Sequence, residues 1–133
     1  GHYYLIYGYG TADLGGQAVL FTSNDFLNWT YLHPVHNNHY DQFWECPDIF
    51  NVSNQIVLKA SLSGRDFWAV GRFDWSSKTF TPLNGDLGEY RQLVDYGRFY
   101  ASKSFYDPLN DRQIIVGWIS EEDDQGPARG WQG

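Results

Sequence analysis

The feature that most constrains this chain is a succession of short runs, apolar or alternating and rich in β-branched and aromatic residues, each ended by a turn cluster. The runs are Tyr3–Tyr9, Ala18–Thr22, Gln55–Leu62, Phe67–Phe73, Phe99–Phe105 and Gln113–Ile119. Between them lie Thr11–Gly16, Ser23–Asp25, Asn51–Asn54, Asp74–Lys78, Pro82–Gly88 and Asp107–Asp111, dense in Gly, Asn, Asp, Ser and Pro. Strands punctuated in this way imply an all-β domain. No window of about 11 residues or more sustains a helical period. One pattern recurs about 50 residues apart: Ala18–Trp29 and Phe67–Phe80 each run from an apolar strand through a polar turn to an aromatic return. That spacing suits a blade of a β-propeller, and it equally suits two hairpins of a sandwich.

Composition narrows the classes. Hydrophobic residues make up 42% of the 133 positions, with 6 Trp, 10 Tyr and 9 Phe, too apolar for a disordered chain. A single domain of this length buries about two-thirds of its unfolded surface. The net charge of −7 argues against nucleic acid as a partner, because phosphates repel such a surface. No apolar run approaches the roughly 18 residues of a membrane span. The lone cysteine, Cys46, excludes an internal disulfide and a cysteine zinc cluster. The chain has no methionine, so residue 1 is not a translation start, and we expect one domain, 1–133, cut at both ends. The sequons Asn28-Trp29-Thr30 and Asn51-Val52-Ser53 mark Asn28 and Asn51 as glycosylation candidates. With the acidic balance they favour a secreted protein, with the vacuole as the alternative.

The densest chemistry lies in Asp41-Gln-Phe-Trp-Glu-Cys-Pro-Asp-Ile-Phe50. Strand alternation there puts Phe43 and Glu45 on one face and Trp44 and Cys46 on the other. A carboxyl between an indole and a thiol is placed to lose water, which disfavours its charged form and suits a general acid. The plainer reading is a strand-end glutamate in an ion pair. His33, His36 and His39 are spaced like metal ligands, but in a loop with Pro34 and two asparagines they need not converge, and no metal or other cofactor is expected. Gly8-Tyr9-Gly10 and Gly15-Gly16 read as turn glycines rather than a phosphate cradle, since no helix follows. Glu121–Asp124 reads as a solvated loop, and most of the tryptophans as core.

Trp44-Glu45-Cys46-Pro47-Asp48 resembles the W-E-C-P-D motif of glycoside hydrolase family 32, the invertases, fructan hydrolases and related fructosyltransferases. Phe26–Thr30 upstream, then Leu58–Ser61, Asp95–Pro108, Gly117–Ser120 and Gly130-Trp131 downstream, are similar to successive family landmarks in the right order. The resemblance implies two to three blades of a five-bladed propeller. It implies retaining cleavage of terminal β-fructofuranosides, with sucrose or a fructan as substrate. Glu45 is then the general acid/base and Cys46 adjusts the electrostatics around it. Asp95 helps to bind substrate and hold the acid/base, and Trp44 joins the substrate contacts. Arg98 falls where plant relatives often carry lysine or asparagine, so it either meets the non-fructose sugar or is a solvated arginine.

The family's N-terminal nucleophile motif and its R-D-P aspartate have no match here. Arg65-Asp66 is followed by Phe67, so that pair is read as structural. Pro47 is the form seen in cell-wall enzymes and in microbial ones. A fructosyltransferase of the same family, or a sugar-binding propeller without catalysis, are the alternatives.

Overall fold

The computed structural model describes residues 1–38, 43–83 and 92–119. His39, Asp41, Ser120, the acidic run 121–124 and Gly130-Trp131 lie outside the described residues, as does most of the Pro82–Gly88 cluster. The described residues form ten strands in order: β1 (Tyr3–Thr11), β2 (Gly15–Ser23), β3 (Thr30–Asn38), β4 (Glu45–Val52), β5 (Gln55–Leu62), β6 (Arg65–Asp74), β7 (Thr79–Pro82), β8 (Gln92–Leu93), β9 (Phe99–Asp107) and β10 (Arg112–Ile119). They form three antiparallel sheets: β1-β2-β3, then β4-β5-β6-β7 with β8 also on β6, then β9-β10. Every expected run lies within a strand, and the all-β reading holds.

Two strands depart from expectation. The histidine segment read as a loop is strand β3, with His36 opposite Ala18 and Pro34 opposite Val19 across a register shift. Proline survives there because β3 is the outer strand of its sheet and Pro34 sits at the irregularity, where no ladder donor is required. Pro47 is tolerated in β4 for the same reason. The strand is at an edge, and its register jumps between Glu45 and Asp48.

The repeated pattern is the final hairpin of each larger sheet, β2-β3 and β6-β7. The connections share one device. Asp25 Oδ1 accepts the amides of Leu27 and Asn28 at 2.9 and 2.8 Å, and Asp74 Oδ1 accepts those of Ser76 and Ser77 at 2.8 and 3.3 Å. These Asx-type turns bend the backbone without glycine. Hydrogen bonds, first from Asn28, hold the Asp25 carboxyl far below its ordinary range. Those of Ser76 and Ser77 hold Asp74 at about 2.

The core lies between the first two sheets. Ala18 and Leu20 on β2 and Val35 on β3 meet Leu58, Ala60 and Leu62 on β5 and Phe80 on β7, with Trp44 among them. The spacing of two along β2 and β5 puts each set on one face. Gly8, Gly10 and Gly16, expected in turns, are strand residues, and at Gly8 and Gly16 the reason is Trp44. A Cβ on Gly16 would fall 2.1 Å from the indole ring, and one on Gly8 would fall 2.2 Å from the Trp44 carbonyl oxygen. The Trp44 amide donates to the Tyr9 carbonyl at 3.3 Å, joining the two sheets at this point.

Candidate active site

Glu45 begins β4, which lies between β1 on one side and β9 on the other. Its carboxylate is exposed and opens into a recess of about 320 Å³, bordered also by Tyr7, Phe43, Cys46, Pro47 and Lys103. A larger cleft of about 1020 Å³ lies at the far end of β4, between Asn51–Asn54 and the β9-β10 hairpin. It is an inter-sheet gap: of its carboxylates, Asp48 accepts the Ser104 amide and Asp111 accepts the Tyr106 phenol. Glu45, the carboxylate singled out in the sequence, borders the smaller recess.

The expected alternation holds from Phe43 to Glu45 and then breaks. Phe43 and Glu45 face solvent and Trp44 is wholly buried, but Cys46 takes φ +44° at the bulge. Two corrections follow. Trp44 has no free face for a substrate, because its indole packs against Gly16 and His36 in the core. For the same reason it does not strip water from Glu45, which points the other way. Cys46 is half-buried and borders the recess beside the carboxylate.

Among the described residues, three side chains or amides of β9, from Tyr100, Lys103 and Ser104, join it to β4. Tyr100 Oη donates to Glu45 Oε2. Lys103 Nζ donates to the Pro47 carbonyl at 2.7 Å and lies 3.9 Å from Asp48 Oδ1. The Ser104 amide donates to Asp48 Oδ2 at 2.6 Å. Partner numbers rise together along both strands, so the two run side by side in the same direction.

Behind this seam lies a buried ionic cluster. Asp66 accepts the Ser61 hydroxyl at 2.5 Å, the Ala101 and Ser102 amides at 3.1 and 3.0 Å, and the Ser102 hydroxyl. Lys59 Nζ lies 3.5 Å from Asp66 and donates to the Ser102 hydroxyl at 3.1 Å and to its carbonyl. Burial alone would raise the Asp66 carboxyl, but the Ser102 and Ser61 hydroxyls, the Ser102 amide and the Lys59 charge together hold it below its ordinary range. Lys59 is drawn down by loss of water, against the pull of Asp66. The structural reading of Asp66 therefore has a specific content: it clamps β9 onto the second sheet.

Asp95 and Arg98 are exposed in the turn before β9. Asp95 Oδ1 accepts the Gly97 amide at 2.7 Å and the Phe99 amide at 3.4 Å, so that oxygen shapes its own turn. Among the described residues no hydrogen bond links Asp95 to Glu45. The group that touches Glu45 is Tyr100, five positions on, and it was not singled out in the sequence. It lay inside the Asp95–Pro108 landmark, but nothing local tells which of its tyrosines turns toward β4.

The histidines are occupied with the backbone, His33 Nδ1 donating to the Pro34 carbonyl at 2.9 Å and His36 Nδ1 to that of Phe80 at 3.2 Å. Asn28 and Asn51 are both exposed, each at a strand end or turn. Trp75 is 70% exposed and Trp118 42%, so fewer tryptophans are core than expected.

Comparison with known proteins covers the whole chain. The model of the glycosyl hydrolases family 32 N-terminal domain matches residues 1–133. A cell-wall isozyme of β-fructofuranosidase from Zea mays is 34% identical over an alignment covering 100% of this chain and 26% of that protein. Fructan 1-exohydrolase w3 of Triticum aestivum is 38% identical, over 87% of this chain and 23% of the relative. The crystal structure of fructan 1-exohydrolase IIa from Cichorium intybus superposes with a TM-score of 0.81 at 32% identity, covering 94% of this chain and 27% of that one. This chain spans about a quarter of the length of these relatives.

Proposed function

The chain belongs to glycosyl hydrolase family 32, as part of that family's N-terminal β-propeller domain, and from that premise we propose that it supplies the general acid/base of a retaining β-fructofuranosidase. Glu45 protonates the bridging oxygen of a terminal fructofuranoside and then deprotonates the incoming water. The observation that carries this reading is the position of Glu45: an exposed carboxylate at the start of a strand flanked by two others, in a recess that also holds an ammonium and a phenol. Lys103 and Tyr100 give the carboxylate polar surroundings without enclosing it.

The partner carboxylate, the nucleophile, is proposed to come from outside these residues. Asp66 does not fill that role, because it is buried and fully engaged with Ser61, Ser102 and Lys59. Asp95 and Arg98, exposed in the turn leading to β9, are proposed to contact the substrate, with Asp95 using the oxygen its own turn leaves open. One relative named as a β-fructofuranosidase and another named as a fructan 1-exohydrolase support sucrose and fructans as the substrate class. The cell-wall relative supports an extracellular location, in keeping with the two exposed sequons.

The test is Glu45→Gln in a protein of the relatives' full length, assayed for glucose release from sucrose. General acid catalysis contributes about 10²–10⁴ in rate, so turnover should fall by at least about a hundredfold with the melting temperature unchanged. Turnover above about a tenth of wild type removes Glu45 from the acid/base role.

A further inference from the structure

We infer that Tyr100 is a positioning residue for the acid/base: its phenol, aimed by a bulge in β9 that Asp66 clamps, holds the Glu45 carboxylate in one orientation. The inference rests on the acid/base reading of Glu45. An exposed glutamate has three side-chain torsions and no intrinsic reason to hold one rotamer. A general acid, however, must keep an oxygen within hydrogen-bond reach of the atom it protonates. Tyr100 Oη takes Oε2, one of the two carboxylate oxygens, and Glu45 itself borders the recess. The other polar groups around the recess are Tyr7 from β1, Cys46 from β4 and Lys103 from β9. Lys103 is committed to the Pro47 carbonyl and Asp48, and Asp48 in turn to the Ser104 amide. Among the described residues, Tyr100 is the hydrogen-bond partner of Glu45.

The direction of that phenol is set by an unusual stretch of backbone. Tyr100 pairs with Trp118 and Lys103 with Val116, so Ala101 and Ser102 together oppose the single residue Gly117. Ala101 takes φ +54°, a left-handed conformation for a residue that carries a Cβ. Such a conformation persists only where the surroundings impose it, and it is concentrated at functional sites. Here Asp66 imposes it by accepting the Ala101 and Ser102 amides. The bulge re-aims the residue beside it, which is Tyr100, toward β4. Gly117 completes the arrangement: a Cβ there would meet the Phe99 ring at 2.6 Å, so the partner strand must be bare where β9 swells.

The experiment uses the full-length protein with Tyr100→Phe, which deletes only the hydroxyl, beside Glu45→Gln and Tyr106→Phe. Tyr106 is a second β9 tyrosine whose phenol donates to Asp111, away from the recess. Sucrose kinetics are measured across pH together with thermal unfolding. For Tyr100→Phe, kcat should fall about tenfold, a fraction of the whole acid/base effect, with KM nearly unchanged and the melting temperature preserved. The pH–rate profile of Tyr100→Phe should differ from that of wild type, because the carboxylate loses the phenol that fixes it. Tyr106→Phe should match wild type in every readout. A Tyr100→Phe variant with wild-type kcat and pH profile, beside an inactive Glu45→Gln, overturns the positioning role and leaves the acid/base standing. Loss of activity in Tyr100→Phe only in step with loss of folding also overturns it. Turnover retained by Glu45→Gln removes the acid/base reading and this inference with it.

Discussion

Strand β5 is buried on both faces, and the two faces are held by opposite chemistry. Leu58, Ala60 and Leu62 point into the first sheet and pack on Ala18, Leu20 and Trp44. Lys59 and Ser61, the residues between them, point toward the third sheet and meet Asp66 and Ser102. The apolar contact is non-directional and scales with area. The ionic one is directional: it ties specific β9 amides, and through them the bulge beside Tyr100. Two neighbouring sheets can therefore be held together by grease, whereas a sheet that must present one phenol to one carboxylate is held by a carboxylate with named donors.

The comparison breaks most severely at Asp66. Asp66→Ala leaves the Lys59 ammonium buried without its counter-charge and should cost about 3–5 kcal/mol. Leu58→Ala on the opposite face should cost about 2–5 kcal/mol through lost contact and a residual cavity. Urea unfolding of the full-length variants checks both figures. The sharper contrast is in activity per folded molecule, which Asp66→Ala should reduce and Leu58→Ala should leave alone. Equal specific activities would mean that the ionic face carries stability only.

A second difference is the response to acid. The Asp66 carboxyl is held below its ordinary 3.8 in the folded protein. Its contribution is thus complete above that value and is lost as pH falls below it, through the lowered folded value. Over that interval the unfolded chain binds a proton that the folded one does not, a slope of up to about 1.4 kcal/mol per pH unit. Asp66→Asn should flatten the stability curve below pH 3.8, whereas Leu58→Ala should displace it without changing its shape. Chemical denaturation at a series of pH values separates the two. An unaltered acid slope in Asp66→Asn would falsify the clamp's electrostatic account.

The smallest effect concerns the two aspartate turns, which are exposed and alike in sequence. Asp74 is held at about 2 and Asp25 lower still, the latter drawing more bonds from Asn28, Leu27 and Ser23. On acidification the Ser76 and Ser77 amides should lose protection before those of Leu27 and Asn28. Hydrogen exchange followed by mass spectrometry from pH 4 downward reads the order, and simultaneous opening would show that the difference in bonding is immaterial.

Much of this architecture was legible in the chain. β5 was read to the residue, β9 and β10 nearly so, and the two equivalent hairpins were found as a repeat, because periodicity and turn chemistry act over a few residues. β3 and most of β4 were missed where Pro34 and Pro47 interrupt them. Proline forbids a ladder bond, but at the edge of a sheet, beside a bulge, none is required. The carboxylate proposed as the acid was singled out from Trp44–Asp48, and its neighbours were harder. Trp44, adjacent in sequence, proved to face away, while Tyr100, 55 positions distant, makes the contact.

The sequence by itself determined the class of structure, the positions of most strands, the aspartate-capped turns and the identity of the candidate acid, since each depends on the order of side chains within a few residues. The tertiary structure alone decided which face each strand covers. It put Trp44 inside against Gly8 and Gly16, buried Lys59 as an ion beside Asp66, and used that pair to bend β9 at Ala101 so that Tyr100 reaches Glu45. The physical reason is one of range. An alternating strand states that its two faces differ, but which neighbour covers the polar face, and with what charge, is set by distant residues, for Lys59 on β5 by Ser102, 43 positions away.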